Sequence, residues 1–229
     1  MNDIFGLNSK KICVKLNSDT RVNKDSLKRK IQKFKNVDTE QKKDLFAELE
    51  CAADMLEIAS VKELILGDTP DIKITIGNNI VLGVEVKRIR RRTEDDRDEK
   101  AADNSEGVVR VGYRDKKQEP WIKVVCDDIG KKAGNQYSTV NTLLFLKSDS
   151  PYQIEWGEIE DGIKDAYITR TCGIPFCAIV YKTAWVDNFP LTAVFIHHTE
   201  IEKQLITDMR VSHLFKLKQL IADVRILDL

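Results

Sequence analysis

The sequence predicts an α/β domain, and three observations carry that expectation. Residues 72–76 and 80–84 alternate apolar and polar on either side of Gly77-Asn78-Asn79, the pattern of a β-hairpin closed by three residues. Residues 38–60 repeat apolar side chains at helical spacing, behind an Asp38 and Gln41 spaced as a capping box. Residues 121–136 and 142–146 then read as an amphipathic helix followed by a buried strand. The implied core is helix, three-strand meander, helix, strand, with extra strands and helices C-terminal to it.

A chain of 229 residues with 42% hydrophobic content can bury one sizeable core, so a single elaborated domain over 1–229 is expected. Its parts are a basic N-terminal extension (1–38), the core (39–147) and a C-terminal elaboration (148–229). In the extension, residues 24–35 form a short amphipathic helix with Leu27, Ile31 and Phe34 on one face. On the helix over 38–60, Leu45, Leu49, Ala52, Met55, Leu56 and Ala59 share one arc, and Glu48 falls inside it. A carboxylate there is costly unless it is paired, bound to a metal, or able to reach solvent from the arc's edge. Glu50, Asp54 and Glu57 fall on the opposite side, expected to face solvent.

Residues 61–66 read as the strand that leads into the hairpin. Residues 93–120 are charged and poor in large apolar side chains, which suggests a mobile insertion. Ile122, Val125, Cys126 and Ile129 form the apolar face of the next helix, and Thr142 to Leu146 is a strand buried on both faces. A helix near 158–168, strands at 177–185 and 191–198, and a long amphipathic helix over about 200–224 complete the chain. His197 and His198, as strand neighbours, point to opposite faces and are read as structural.

The register of the hairpin defines a polar cluster. With residues 77–79 as the loop, Ile76 pairs with Ile80, Ile74 with Leu82 and Ile72 with Val84, so Asp71 falls opposite Glu85. Lys87 lies on the same face as Glu85. Two converging carboxylates repel unless a cation or proton lies between them. Hard oxygen ligands suit Mg²⁺, which meets substrate phosphates, and a nearby lysine can hold a phosphate or an attacking water. The set fits metal-assisted hydrolysis of a phosphodiester, although a surface salt bridge would use the same residues.

Pro70-Asp71 followed by Glu85-Val86-Lys87 resembles the signature of the PD-(D/E)XK nucleases, over roughly residues 39–147. That superfamily includes restriction endonucleases, Holliday junction resolvases and repair nucleases. The resemblance implies a restriction endonuclease-like core and a Mg²⁺ site in which Mn²⁺ would substitute. Asp71, Glu85 and the backbone carbonyl of Val86 would ligate the metal. Lys87 would position or activate water, and Glu48 would contact the metal or one of its waters. Asp68 is a spare ligand candidate, better placed to cap the turn at 67–70.

The chain carries 37 basic and 37 acidic residues, so a nucleic-acid partner must rely on the distribution of charge. Residues 1–45 hold 12 Lys or Arg against 6 Asp or Glu. Arg88, Arg90, Arg91 and Arg92 either line a phosphate backbone or pair with the acidic run at 94–99. Lys131, Lys132 and Gln136 could touch a phosphate or base, or simply complement the end of their helix.

DNA is the favoured substrate, with RNA open. The competing expectations are a catalytically inactive, nuclease-like module that binds nucleic acid or protein, and a structural protein. Restriction, antiviral defence and repair suit the chemistry equally. Symmetric duplex cutting would imply a homodimer, and a partner protein in a larger complex is the other arrangement. Cys13, Cys51, Cys126, Cys172 and Cys177 are scattered and read as reduced thiols, with no zinc spacing. Without a membrane-length apolar run or a signal-peptide pattern at Met1-Asn2-Asp3, an intracellular, cytoplasmic protein is expected.

Overall fold

The computed structural model describes residues 2–89, 121–134, 141–148, 156–169, 174–182, 191–221 and 225–229. Among the described residues, eight strands form one mixed sheet whose spatial order follows the chain, β1 to β8. The first three, β1 (Val61–Leu66), β2 (Ile72–Ile76) and β3 (Ile80–Ile89), make an antiparallel meander. Its register is the predicted one: Ile72 faces Val84, Ile74 faces Leu82 and Ile76 faces Ile80. The connection is Gly77-Asn78-Asn79, with positive φ at Gly77 (45°) and Asn79 (64°), as residues that tolerate the left-handed region allow. β4 (Thr142–Ser148) joins β3 in parallel and β5 (Ala178–Lys182) joins β4 in parallel. β6 (Leu191–Phe195) is antiparallel to β5.

Helices cover both faces. On one lie α1 (Asn2–Ser18), α2 (Lys24–Asn36) and α3 (Thr39–Met55), above a core that includes Leu49, Met55, Ile74, Val84 and Phe145. The capping expectation for α3 holds on its first half, since the Asp38 side chain accepts from the Gln41 N–H at 2.9 Å. The helix stops at Met55, five residues short of the predicted end, and Ala59 is exposed while Ile58 is buried. Residues 1–38 are not an appendage. Leu16, Val22 and Leu27 lie in the core, and the link between α1 and α2 bonds to β1 through Asn23 N–H to Leu64 O and Leu64 N–H to Arg21 O.

Glu50 and Asp54, expected in solvent, instead face the sheet. Glu50 pairs with Lys147 of β4, and Asp54 with Lys182 of β5 at 3.0 Å. Of the three acids placed on the solvent side, Glu57 alone is exposed there, paired with Lys15.

On the other face, α4 (Trp121–Ala133) and α5 (Trp156–Thr169) pack over Ile89, Leu144, Leu146 and Ile179. β4 is therefore buried on both sides, as its continuous apolar run predicts. The two helices approach closely at Gly162, where a Cβ would fall 2.6 Å from Val125.

The predicted helix over 200–224 is corrected. It ends as α6 (Glu200–Arg210), and two strands follow, β7 (Phe215–Leu220) parallel to β6 and β8 (Ile226–Asp228) antiparallel to β7. Phe215 and Leu217 alternate with Lys216 and Lys218, a period-two pattern that wins over the helical reading. No helix among the described residues is long and apolar enough to cross a membrane.

The start of α6 carries a stability prediction. The Thr199 hydroxyl accepts from the Glu202 N–H, and Glu202 Oε1 accepts from the His197 N–H at 2.9 Å. Glu202 is 1% exposed, its Oε2 has no hydrogen-bond partner, and burial pushes its carboxyl up to about 8. A carboxyl raised in the folded state stabilises fully below its unfolded value, near 4.5, and loses that contribution as pH climbs through 8. Glu202→Gln keeps an acceptor for His197 and removes the ionisation. Its melting temperature is expected to match the parent at pH 4.5 and exceed it by about 3–6 °C at pH 8. Thermal melts at both pH values decide this, and a variant less stable at pH 8 would contradict it.

Candidate functional site

The predicted acidic cluster gathers where the meander meets α3 and α4. A turn at 67–71 delivers Asp71 to it. Gly67 N–H donates to Asp71 O at 2.9 Å, and a Cβ on Gly67 would fall 2.6 Å from the Pro70 carbonyl oxygen, so the turn requires glycine. Asp71 Oδ2 then accepts the Val86 N–H at 2.8 Å, which ties the carboxylate to β3 just past the last paired residues of β2. In a strand the N–H and C=O of one residue point the same way, so the Val86 carbonyl also faces the Asp71 side. The Val86 side chain sits in the core.

Glu85 projects from β3 toward α4 and is 1% exposed. Its Oε2 lies 2.8 Å from Lys132 Nζ, and its Oε1 is buried with no hydrogen-bond partner. Lys132 also lies 3.5 Å from Asp71 Oδ2, so one ammonium bridges the two carboxylates. Burial works against the charge on Lys132, but Asp71 and Glu85 outweigh it and hold the ammonium above its ordinary value. Burial raises the Asp71 carboxyl, Lys132 and the Val86 N–H pull it down, and Glu85 pushes it up again, with a net upward shift.

Lys87 follows on the same face as Glu85. Its Nζ is 3.5 Å from Oδ1 of Asp128, a side chain only 10% exposed on α4.

Glu48 approaches from α3. Lys30 Nζ stands 2.5 Å from its Oε2, although that oxygen makes no hydrogen bond of acceptable geometry. Burial and the neighbouring Asp71 charge push the Glu48 carboxyl up to about 7, against the pull of Lys30. Lys30 is itself fixed by a 2.5 Å bond to Gly67 O. Asp68, the spare ligand candidate, points outward to Lys33 at 2.7 Å.

The structure thus joins Asp71 and Glu85 through Lys132, sets Glu48 within reach of the Asp71 charge, and places Lys87 beside Asp128 on the Glu85 face of β3. Among the described residues, no three His, Cys, Asp or Glu side chains converge as a ready-made ligand set, and lysines stand between the acids.

Arg88 is corrected. It is 5% exposed on the α3 side of β3, with Nη2 2.7 Å from Glu40 and Nε 2.8 Å from Asp44, which commits it to the fold. Lys132 is likewise turned inward to Asp71 and Glu85 and does not line a groove, whereas Lys131 is exposed. Arg90, Arg91, Arg92, Gln136 and the insertion at 93–120 lie outside the described residues. His197 Nε2 bonds to Ile174 O at 2.7 Å, in keeping with a structural histidine.

Sequence reasoning missed Lys30 and Asp128. Nothing distinguishes Lys30 within a run of lysines. The i, i+4 spacing of Asp128 and Lys132 was the available signal that one turn of α4 faces a charged site.

Neither a protein-family model, nor a curated protein, nor a solved structure matches this chain.

Proposed function

We propose that the chain is a divalent-metal-dependent nuclease that hydrolyses phosphodiester bonds, with DNA as the favoured substrate. One observation carries this reading: Glu85 is buried with an orphaned carboxylate oxygen beside a second, half-buried carboxylate, Asp71. An unpartnered buried carboxylate oxygen and a neighbouring like charge both destabilise the site, and a hard cation held by the two acids relieves both. The chain order α3, β1, β2, β3, α4, β4 supports a PD-(D/E)XK, restriction endonuclease-like core.

Asp71, Glu85 and the Val86 carbonyl would hold the ion, with Glu48 reaching it or one of its waters. Mg²⁺ or Mn²⁺ supplies polarisation of a phosphoryl oxygen and a more acidic water. The chain's own side chains do the rest. Asp128 orients the Lys87 ammonium, which donates to a phosphoryl oxygen or positions the attacking water. Lys28, Arg29 and Lys35 are exposed on α2, the helix whose Lys30 meets Glu48 and whose Lys33 meets Asp68. That basic surface beside the acids suits a phosphate backbone.

A second reading, a nuclease-like module that binds without cutting, is favoured by the lysines already neutralising the acids. Supercoiled plasmid, single-stranded DNA and RNA, each incubated with EDTA, Mg²⁺ or Mn²⁺, separate the two. Metal-dependent nicking of plasmid that EDTA abolishes is the expected result. Retention of nucleic acid without cleavage under every condition would favour the binding module and reject the nuclease.

A further inference from the structure

We propose that Lys132 is a built-in counter-ion of the acidic site, one that a divalent cation must displace. The inference rests on Asp71 and Glu85 being the metal-holding pair. Lys132 Nζ lies 2.8 Å from Glu85 Oε2 and 3.5 Å from Asp71 Oδ2, and so stands between the two groups that a cation would bridge. An ammonium and a divalent ion cannot share that position, because like charges a few ångströms apart repel strongly in a partly buried site. The unpartnered Oε1 of Glu85, a residue 1% exposed, shows that a single ammonium does not saturate the pair.

The contrast with Lys30 decides which lysine can move. Lys30 is 4% exposed along its side chain and is anchored a second time by Gly67 O, so it belongs to the frame. Lys132 is 20% exposed, sits in the last turn of α4, and has a flexible four-carbon stem. It also has a destination: a substrate phosphate, or Asp128 one turn earlier on the same helix, whose carboxylate already draws Lys87 at 3.5 Å and Lys131 at 3.7 Å. Binding of the cation therefore releases an ammonium at the site where a phosphodiester arrives. The acids stay compensated while the site is metal-free, and the lysine changes from counter-ion to phosphate ligand when it is loaded.

The test is Mn²⁺ binding to full-length, metal-stripped protein by calorimetry. Lys132→Met, which keeps the stem and removes the charge, is expected to bind Mn²⁺ about ten-fold more tightly than the parent. Lys131→Met, at the exposed neighbouring position, should bind like the parent. A readout on the parent protein removes dependence on the variant's folding: amine-reactive labelling followed by mass spectrometry. Labelling of Lys132 should rise several-fold on Mn²⁺ addition while that of Lys131 stays level. Equal Mn²⁺ affinity in parent and Lys132→Met, or labelling of Lys132 that ignores Mn²⁺, would overturn the counter-ion and leave the metal pair standing. No Mn²⁺ binding by either protein would overturn the metal pair, and the counter-ion with it.

Discussion

Asp71→Asn and Glu85→Gln are each expected to reduce Mg²⁺-dependent cleavage by roughly 10³-fold, about 4 kcal/mol in the barrier, while the protein stays folded. The size of the loss follows from what the proposed function asks of the carboxylates: they would hold the cation that stabilises the phosphoryl transition state, and an amide oxygen is a much weaker ligand for a hard cation. The folded state should tolerate both changes. Asn at 71 retains an acceptor for the Val86 N–H, and neutralising either acid removes the mutual repulsion that adds to burial in raising the Asp71 carboxyl. Thermal stability is therefore expected within about 1 kcal/mol of the parent, or slightly above it, as when a strained functional site is relaxed. Lys87→Ala should lose cleavage on a similar scale without loss of fold, since its side chain is 28% exposed and its ion pair with Asp128 spans 3.5 Å. Folded variants of Asp71 or Lys87 that cut plasmid at the parent rate would reject the assignment. Circular dichroism and thermal melts run beside the cleavage assay keep a folding defect from passing as a catalytic one.

The hairpin was legible because its information is local. Alternating isoleucines flank residues able to adopt positive φ, and a one-residue slip would have turned Ile72, Ile74 and Ile76 to the wrong face. The N-cap of α3 and the buried strand β4 were legible for the same reason. What escaped was set by contacts between distant elements. Arg88, Lys147 and Lys182 occupy matched positions on β3, β4 and β5, and all face α3. No sequence period announces that a helix crossing a sheet will lay Asp44, Glu50 and Asp54 against that row. Glu50 and Asp54 therefore looked solvated and Arg88 looked available to DNA. The segment 211–220 failed differently. Its lysines and apolar residues fit a helix face or a strand face nearly as well, and pairing with β6 decided the outcome.

That row of ion pairs carries the largest stability effect expected in the molecule. Lys182→Met should destabilise the fold by about 3 kcal/mol at neutral pH, because it leaves the largely enclosed Asp54, 15% exposed between α3 and the sheet, without its cation. Against a total stability of roughly 5–15 kcal/mol for a domain, a loss of that size is enough to unfold a marginal protein. Burial raises the Asp54 carboxyl even with Lys182 in place, and removing the lysine takes away the charge that opposes that rise. A group whose folded value is raised loses its stabilising contribution as pH climbs, so the penalty should shrink under acid conditions, where Asp54 takes up a proton. The double variant Asp54→Leu with Lys182→Met should recover most of the loss, since the two apolar side chains bury no charge. Urea denaturation of the parent, both single variants and the double variant gives the coupling energy directly. A coupling below about 1 kcal/mol would mean that the pair behaves as a solvated surface bridge. A large one would identify the charged row as the clamp that seats α3, and hence Glu48, over the end of the hairpin.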